Sequence, residues 1–301
     1  MYPYKVFMGL DLYTLLMVAG VVVALVFIRL QGDKRGLRAA FQNLLIVDTV
    51  LTVFAGYGAA VLFQAYYNYR ANGTFEIVSN TGATFYGGLI GGTAAFIIIY
   101  FVGGYLIFPD NYHKKNFRTV ADLAAACIAV GHGIGRLGCL MAGCCHGKVT
   151  DAWYGITMHI PHHTDPVKVI PVQLYEAIFL LALSGILLWL FMRGKKYLLS
   201  IYMISYAVWR FFAEMMRGDY RGTTVVDNIS PSQYLSIIIF FGGIMLLCLQ
   251  MFVDAGRKDT TDATPSDETS EEISEEASEE TSEETPAEIS ADGTETEGDP
   301  A

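Results

Sequence analysis

The chain has 301 residues, of which 53% are hydrophobic and only 17% charged, with a mean hydropathy of +0.38 and a formal net charge of −10. The charge is unevenly placed: residues 259–301 hold seventeen Asp or Glu and no Lys or Arg, whereas residues 1–258 hold thirteen acids and twenty bases, a body of +7 beside a tail of −17. Such a composition excludes a uniformly acidic soluble protein and points to an integral membrane body with a polar appendix; no nucleic-acid partner is expected.

A hydrocarbon core requires about 20 mostly apolar residues per helix. Seven stretches approach this in chain order: 10–30, 44–66, 84–108, 120–144, 172–192, 197–216 and 234–253. The expected fold is therefore all-α and polytopic, with seven transmembrane helices over residues 1–258. The first stretch does not read as a cleaved leader, because its apolar run is long, only Lys5 precedes it, and no small-residue cleavage site follows Arg29. Basic residues concentrate in alternate loops: Arg29, Lys34, Arg35 and Arg38; Lys114, Lys115 and Arg118; Arg193, Lys195 and Lys196; Arg257 and Lys258. The positive-inside rule places these in the cytoplasm, with the N-terminus outside and the C-terminus inside, as an odd span count requires. Residues 259–301 repeat Ser-Glu-Glu from Ser270, Ser274, Ser278 and Ser282; with so little apolar surface this cytoplasmic tail is expected to be disordered.

Ionisable groups inside apolar spans are costly and mark candidate sites. In the sixth span Tyr206, Arg210, Glu214 and Arg217 recur at i, i+4, i+8 and i+11, along one helical face. Glu214 stands one turn from Arg210 and is placed to orient it, while Arg217 is close enough to the end to snorkel. Arginine suits a phosphate because its planar fork stays charged and donates in pairs. An internal ion pair between helices is the alternative reading of the same residues. The fourth span ends in Gly-His-Gly-Ile-Gly-Arg-Leu-Gly-Cys from Gly131 to Cys139, with His132 and Arg136 on one face. Two arginines on different helices can clamp one phosphodiester. Gly87, Gly88, Gly91 and Gly92 in the third span offer either backbone access to a ligand or close helix packing.

Five cysteines divide into Cys127 and Cys248, within apolar spans, and a cluster of Cys139, Cys144 and Cys145 beside His146. With His159, His162 and His163 downstream, soft metal ligation is conceivable, but the spacing fits no zinc pattern, so no metal or other cofactor is expected. A disulfide from Cys139 to Cys144 or Cys145 requires the helix to end between them.

Seven spans with an outside N-terminus resemble the prolipoprotein diacylglyceryl transferase family. Four motifs in order carry the resemblance: Tyr86-Gly87-Gly88-Leu89-Ile90-Gly91; Gly135-Arg136-Leu137-Gly138, closing at Gly147; Pro171-Val172-Gln173-Leu174-Tyr175-Glu176; and Tyr206 through Arg210 and Glu214 to Arg217. The resemblance implies a bacterial cell-membrane enzyme that moves the diacylglyceryl group of phosphatidylglycerol to the lipobox cysteine of a preprolipoprotein signal peptide, forming a thioether and releasing glycerol 1-phosphate. By the same resemblance Arg136 and Arg210 bind the leaving phosphate, and Tyr206 is a functional tyrosine beside them. Glu214, Arg217, Gly87, Gly88, Gly147 and Gln173 contribute to substrate binding.

Several positions depart from the family pattern. Tyr86 replaces the third-span histidine proposed as the base, and Cys139, Ala142 and Cys144 replace two asparagines and a glutamate of the signature. In the fifth-span motif Ile170 and Val172 replace a histidine and a serine. A tyrosine of ordinary pKa, near 10, is a poor base at neutral pH, so Tyr86 is expected to bind the headgroup or relay a proton, and His132 or His146 is the alternative base. Three readings follow: an active divergent transferase, a paralogue serving another acceptor, or a lipid-binding or transport protein that keeps the fold.

Overall fold

The computed structural model describes residues 5–7, 9–73, 75, 77, 81–160, 164–218 and 229–262, with side chains for all of these except 5, 72 and 257–262. The expected acidic tail from residue 263 onward, His162, His163 and Arg221 lie outside the described residues. Among the described residues there are seven helices: α1 (Leu12–Lys34), α2 (Ala39–Asn72), α3 (Phe85–Ile107), α4 (Tyr112–Ala142), α5 (Val172–Met192), α6 (Leu198–Met215) and α7 (Pro231–Asp262). Two short antiparallel hairpins accompany them, β1 (Lys5–Phe7) with β2 (Leu10–Asp11) and β3 (Ile156–Met158) with β4 (Val167–Val169). The chain divides into one compact unit, Met1–Gln250, and a second, Met251–Ala301, whose described part is the end of α7.

Six of the helices are long and apolar enough to cross a membrane. The protein is a polytopic membrane protein. Only α6 falls short among the seven: its 18 residues include Tyr202, Tyr206, Arg210 and Glu214, which dilute its hydropathy. At 1.5 Å per residue it is still about 27 Å long, close to the thickness of a hydrocarbon core.

Local chemistry sets the helix ends. Asp11 caps α1, its Oδ1 accepting the Thr14 N–H at 3.0 Å. At the end of α4, Gly143 turns left-handed (φ 71°); its N–H reaches Leu140 O, and Cys144 N–H reaches Cys139 O at 3.1 Å. This is a Schellman closure, which satisfies carbonyls that would otherwise be orphaned. No side chain of its own caps α6. Instead Asp122 of α4 reaches across, its Oδ1 accepting the Leu198 N–H at 2.7 Å and the Leu199 N–H at 3.3 Å.

The central helix is α4, with 56% of its apolar window buried, against 11% for α3, and it packs on α1, α5 and α6. Small residues let the helices approach: a Cβ on Gly20 of α1 would stand 3.1 Å from Gly131 O of α4. α2 pairs chiefly with α3. α7 touches α6 where Gly243 faces Ile204, and Ser200 Oγ donates to Gln250 Oε1 at 3.0 Å. The large aromatic and aliphatic side chains facing outward, such as Phe54 and Leu106, suit contact with lipid.

Three connections gather at one end of the bundle. Arg38, after α1, pairs with Asp110, after α3, at 2.7 Å; Arg35 donates to the carbonyl of Phe191; and Arg118 lies over the Tyr197 ring. Successive helices run in opposite directions, so the ends of α4 and α6 and the starts of α5 and α7 collect at the other end. The β3–β4 hairpin lies between α4 and α5, with Met158 and Val169 packed on Leu140.

Candidate active site

At that second end the residues singled out from sequence come together around Glu176, the last residue of the fifth-span motif. Glu176, in the second turn of α5, is wholly buried. Its Oε2 lies 3.0 Å from Arg136 Nε of α4, and its Oε1 accepts the Tyr206 hydroxyl of α6 at 3.1 Å. His132, one turn before Arg136, places Nε2 3.9 Å from the same Oε1, with its ring edge-on to Tyr206 at 5.1 Å. One carboxylate therefore ties three helices. In an apolar interior, this pairing offsets the cost of burying both charges.

The second arginine has its own support. Arg210 is 7% exposed; its Nη2 donates to Glu214 Oε2 at 2.6 Å and to Ser232 Oγ at 3.0 Å, while Nη1 has no hydrogen-bond partner among the described residues. Ser230 donates through Oγ to Glu214 Oε1 at 3.1 Å, so α7 holds the acid that holds the arginine. Ser230 and Gln233 also form a capping box: Gln233 N–H donates to Ser230 Oγ, and Ser230 N–H to Gln233 Oε1. With Pro231 at the first helical position, the sequence Ser-Pro-Ser-Gln is built to start a helix there. The serines were legible only through that capping pattern, and the expected seventh span began later, at residue 234.

Arg217 is buried and its backbone bridges to that of Gly147. Gly147 N–H donates to Ile170 O at 2.8 Å, and a Cβ on Gly147 would stand 2.7 Å from Met216 O. Close backbone contact thus accounts for this glycine. His146, the other candidate base, turns Nδ1 to Gly147 O at 2.9 Å. Gln173, almost wholly buried, donates to Cys144 O at 3.3 Å and leaves Oε1 without a partner among the described residues. Arg136 is thus paired with Glu176 and Arg210 with Glu214, an acid on a neighbouring helix for the first and on its own helix for the second.

The third-span motif sits differently. Gly87 and Gly91 press on α2: a Cβ on Gly87 would lie 2.7 Å from Ala59 O and from Phe63 Cβ, and one on Gly91 would meet the Ala59 methyl. Gly88 has only ordinary contact with Ala60. Helix packing explains Gly87 and Gly91. Tyr86 is half-buried beside Phe85 in the first turn of α3.

The helix does end between Cys139 and Cys144, as a disulfide would require, yet none of the five cysteines is in a disulfide. Hydrogen bonds from the Cys139 and Cys144 thiols, reinforced by the Arg217 and Arg136 guanidiniums, hold the Cys145 thiol well below its usual range despite burial. An apolar groove of about 150 Å³ runs between α6 and α7, lined by Ala207, Phe211, Ile237 and Phe240 among others.

Comparison with known proteins agrees with the motifs. Residues 4–249 match the profile of the family described as prolipoprotein diacylglyceryl transferase. A phosphatidylglycerol–prolipoprotein diacylglyceryl transferase 2 of Clostridium perfringens is 31% identical over 262 residues, covering 84% of this chain and 95% of the relative. The enzymes so named from Clostridium tetani and Ligilactobacillus salivarius are 29% and 27% identical, each covering 80% of this chain and 93% and 89% of their own lengths. With four-fifths of its length matched by the family profile, the chain belongs to the prolipoprotein diacylglyceryl transferase family.

Proposed function

We propose that this protein transfers the diacylglyceryl group of phosphatidylglycerol to the lipobox cysteine of a preprolipoprotein, with Arg136 and Arg210 gripping the phosphate that leaves. The reaction is the one named for its relatives. The carrying observation for the residue roles is the paired support of two arginines on different helices, Arg136 by Glu176 and Arg210 by Glu214, with Arg210 Nη1 left without a hydrogen-bond partner among the described residues. In the step proposed, the cysteine sulfur attacks the glyceryl carbon that bears the phosphate ester. A C–S bond forms, the C–O bond breaks, and glycerol 1-phosphate departs with the bonding pair. Charge develops on the leaving phosphate oxygen, where preorganised guanidiniums in a dry site stabilise it best.

The thiol must lose its proton to become a nucleophile. His132 is the better placed of the two candidate histidines, since it belongs to the Glu176 cluster while His146 is turned to a backbone carbonyl. Tyr206 positions Glu176 and through it Arg136. The groove between α6 and α7 offers apolar walls to an acyl chain. Gln173 Oε1, without a hydrogen-bond partner among the described residues, is an acceptor suited to a headgroup hydroxyl.

The same reading assigns seven spans, counting α6, with the N-terminus outside and residue 258 on the cytoplasmic side of a bacterial cell membrane. The basic connections clustered at the end opposite Arg136 and Arg210 support that orientation. The rewritten signature favours one second reading, a paralogue that serves another acceptor through the same phosphate grip. Incubation of the protein with phosphatidylglycerol and either a lipobox peptide or its Cys→Ser variant separates the two. The transferase gives a diacylglyceryl adduct only on the cysteine peptide, whereas phosphatidylglycerol turnover without any peptide adduct sinks this reading in favour of the paralogue.

A further inference from the structure

We propose that Cys139, Cys144 and Cys145 form a three-thiolate site for a thiophilic d10 metal ion, Zn(II) or Cu(I), at the end of α4. Their three sulfurs lie within 4.8 Å of one another. An ion about 2.3 Å from each sulfur needs S···S separations of about 3.8–4.0 Å, so small side-chain rotations close the site without moving the backbone. The spacing of the cysteines along the chain gave no warrant for a metal; the folded loop does.

Two features of the loop build the cluster. The Schellman closure at Gly143 folds Cys144 back over the last turn of α4, where its N–H bonds to Cys139 O. Cys145 then adopts φ 62°, a left-handed conformation that costs a non-glycine residue about 1–2 kcal/mol. That turn brings the third sulfur to the other two. All three residues are half-buried, so an ion can enter from solution and keep a fourth position for water. Three thiolates leave a net charge of −1 with Zn(II) or −2 with Cu(I). Arg217 and Arg136 stand close enough to act electrostatically on Cys145 and supply the compensating charge. His146 is engaged by Gly147 O and His159 is exposed, so neither belongs to the donor set.

Such an ion would clasp the end of the bundle that carries the arginines. Cys144 O accepts from Gln173 of α5, Gly147 N–H donates to Ile170 O, and Lys148 N–H donates to Met216 O at 3.0 Å. Fixing Cys144 and Cys145 to α4 therefore fixes the Gly147–Lys148 backbone to which Arg217 and Met216 are bridged.

The test uses the full chain purified in detergent through a tag without histidines. Metal content is read by elemental analysis, free thiols are counted, and the metal-free protein is titrated with Zn(II), Cu(I) anaerobically, and Cd(II), whose thiolate charge-transfer absorption reports sulfur ligation directly. The expected result is about one ion per chain, tight binding of Zn(II) or Cu(I), and a thiolate–Cd(II) band. Cys144→Ser and Cys145→Ser should each weaken binding at least about tenfold, while Cys248→Ser on α7 leaves it unchanged. Chelation should lower the melting temperature of the wild type but not of Cys145→Ser. The proposal fails if metal-free wild-type protein gives no thiolate band, or if it presents three free thiols rather than the five in the sequence, which would mean that two of the cluster form a disulfide. The wild-type titration decides the matter even where a variant does not fold.

Discussion

At the scale of single residues, Glu176 joins more of the site than any other group. Its wholly buried carboxylate meets Arg136, Tyr206 and His132. Removing one partner of a buried pair leaves the other uncompensated, at about 3–5 kcal/mol. Glu176→Gln is therefore expected to lower both the melting temperature and turnover, and Tyr206→Phe to do so less, by the about 1.5–3 kcal/mol of a hydrogen bond to a charged group. Arg136→Ala and Arg210→Ala should each reduce kcat about 100- to 1000-fold with intact insertion. Arg210→Lys should recover only part of that, since lysine lacks the fork that spans Glu214 and Ser232 together. For the base, His132→Asn is expected to abolish the acid limb of the pH–rate profile while Tyr86→Phe leaves it in place; the reverse pattern would return the role to Tyr86. The arginines were legible because charge inside an apolar span is rare. Glu176 was legible as part of a motif, but its central position needed three helices to converge, which no local pattern encodes.

At the scale of elements, hydropathy marked all seven helices but misplaced several ends for one reason. A helix continues past the apolar window wherever its polar residues reach the loop: α4 begins at Tyr112 rather than residue 120, carrying Lys114, Lys115 and Arg118 on helical turns, and stops at Ala142 under its Schellman closure. The hairpins were not foreseen, because three-residue strands carry too little alternation to register. Gly87 and Gly91 proved to be packing residues of the α2–α3 pair, one of two readings their spacing allowed. Asp122 shows how tertiary contact replaces a local cap. Asp122→Ala should lower stability by about 1–2 kcal/mol, and Asp122→Asn by less, read as melting temperature in detergent. Gly147→Ala forces a methyl against Met216 O and Ile170. A loss of about 1–3 kcal/mol is expected, accompanied by weaker phosphatidylglycerol binding if the segment bearing Arg217 shifts.

For the whole molecule, the division of charge is the property that sequence exposed first and that orients everything else. The basic connections after α1, α3 and α5 meet through Arg38–Asp110 and Arg118–Tyr197. The buried arginines occupy the opposite end, so net charge says nothing about the substrate while the placement of a few guanidiniums says much. A topology reporter fused after residue 258 should read as cytoplasmic, and one placed in the α4–α5 connection as external; an inverted pair would reverse the proposed orientation. The central claim is that this divergent signature still performs diacylglyceryl transfer with Arg136 and Arg210 at the phosphate. Mass spectrometry of a lipobox peptide incubated with the protein and phosphatidylglycerol tests it most directly. A diacylglyceryl thioether on the peptide cysteine, nearly lost with Arg136→Ala or Arg210→Ala, is the result predicted; no adduct from correctly folded wild-type protein, or undiminished adduct from both variants, would contradict it.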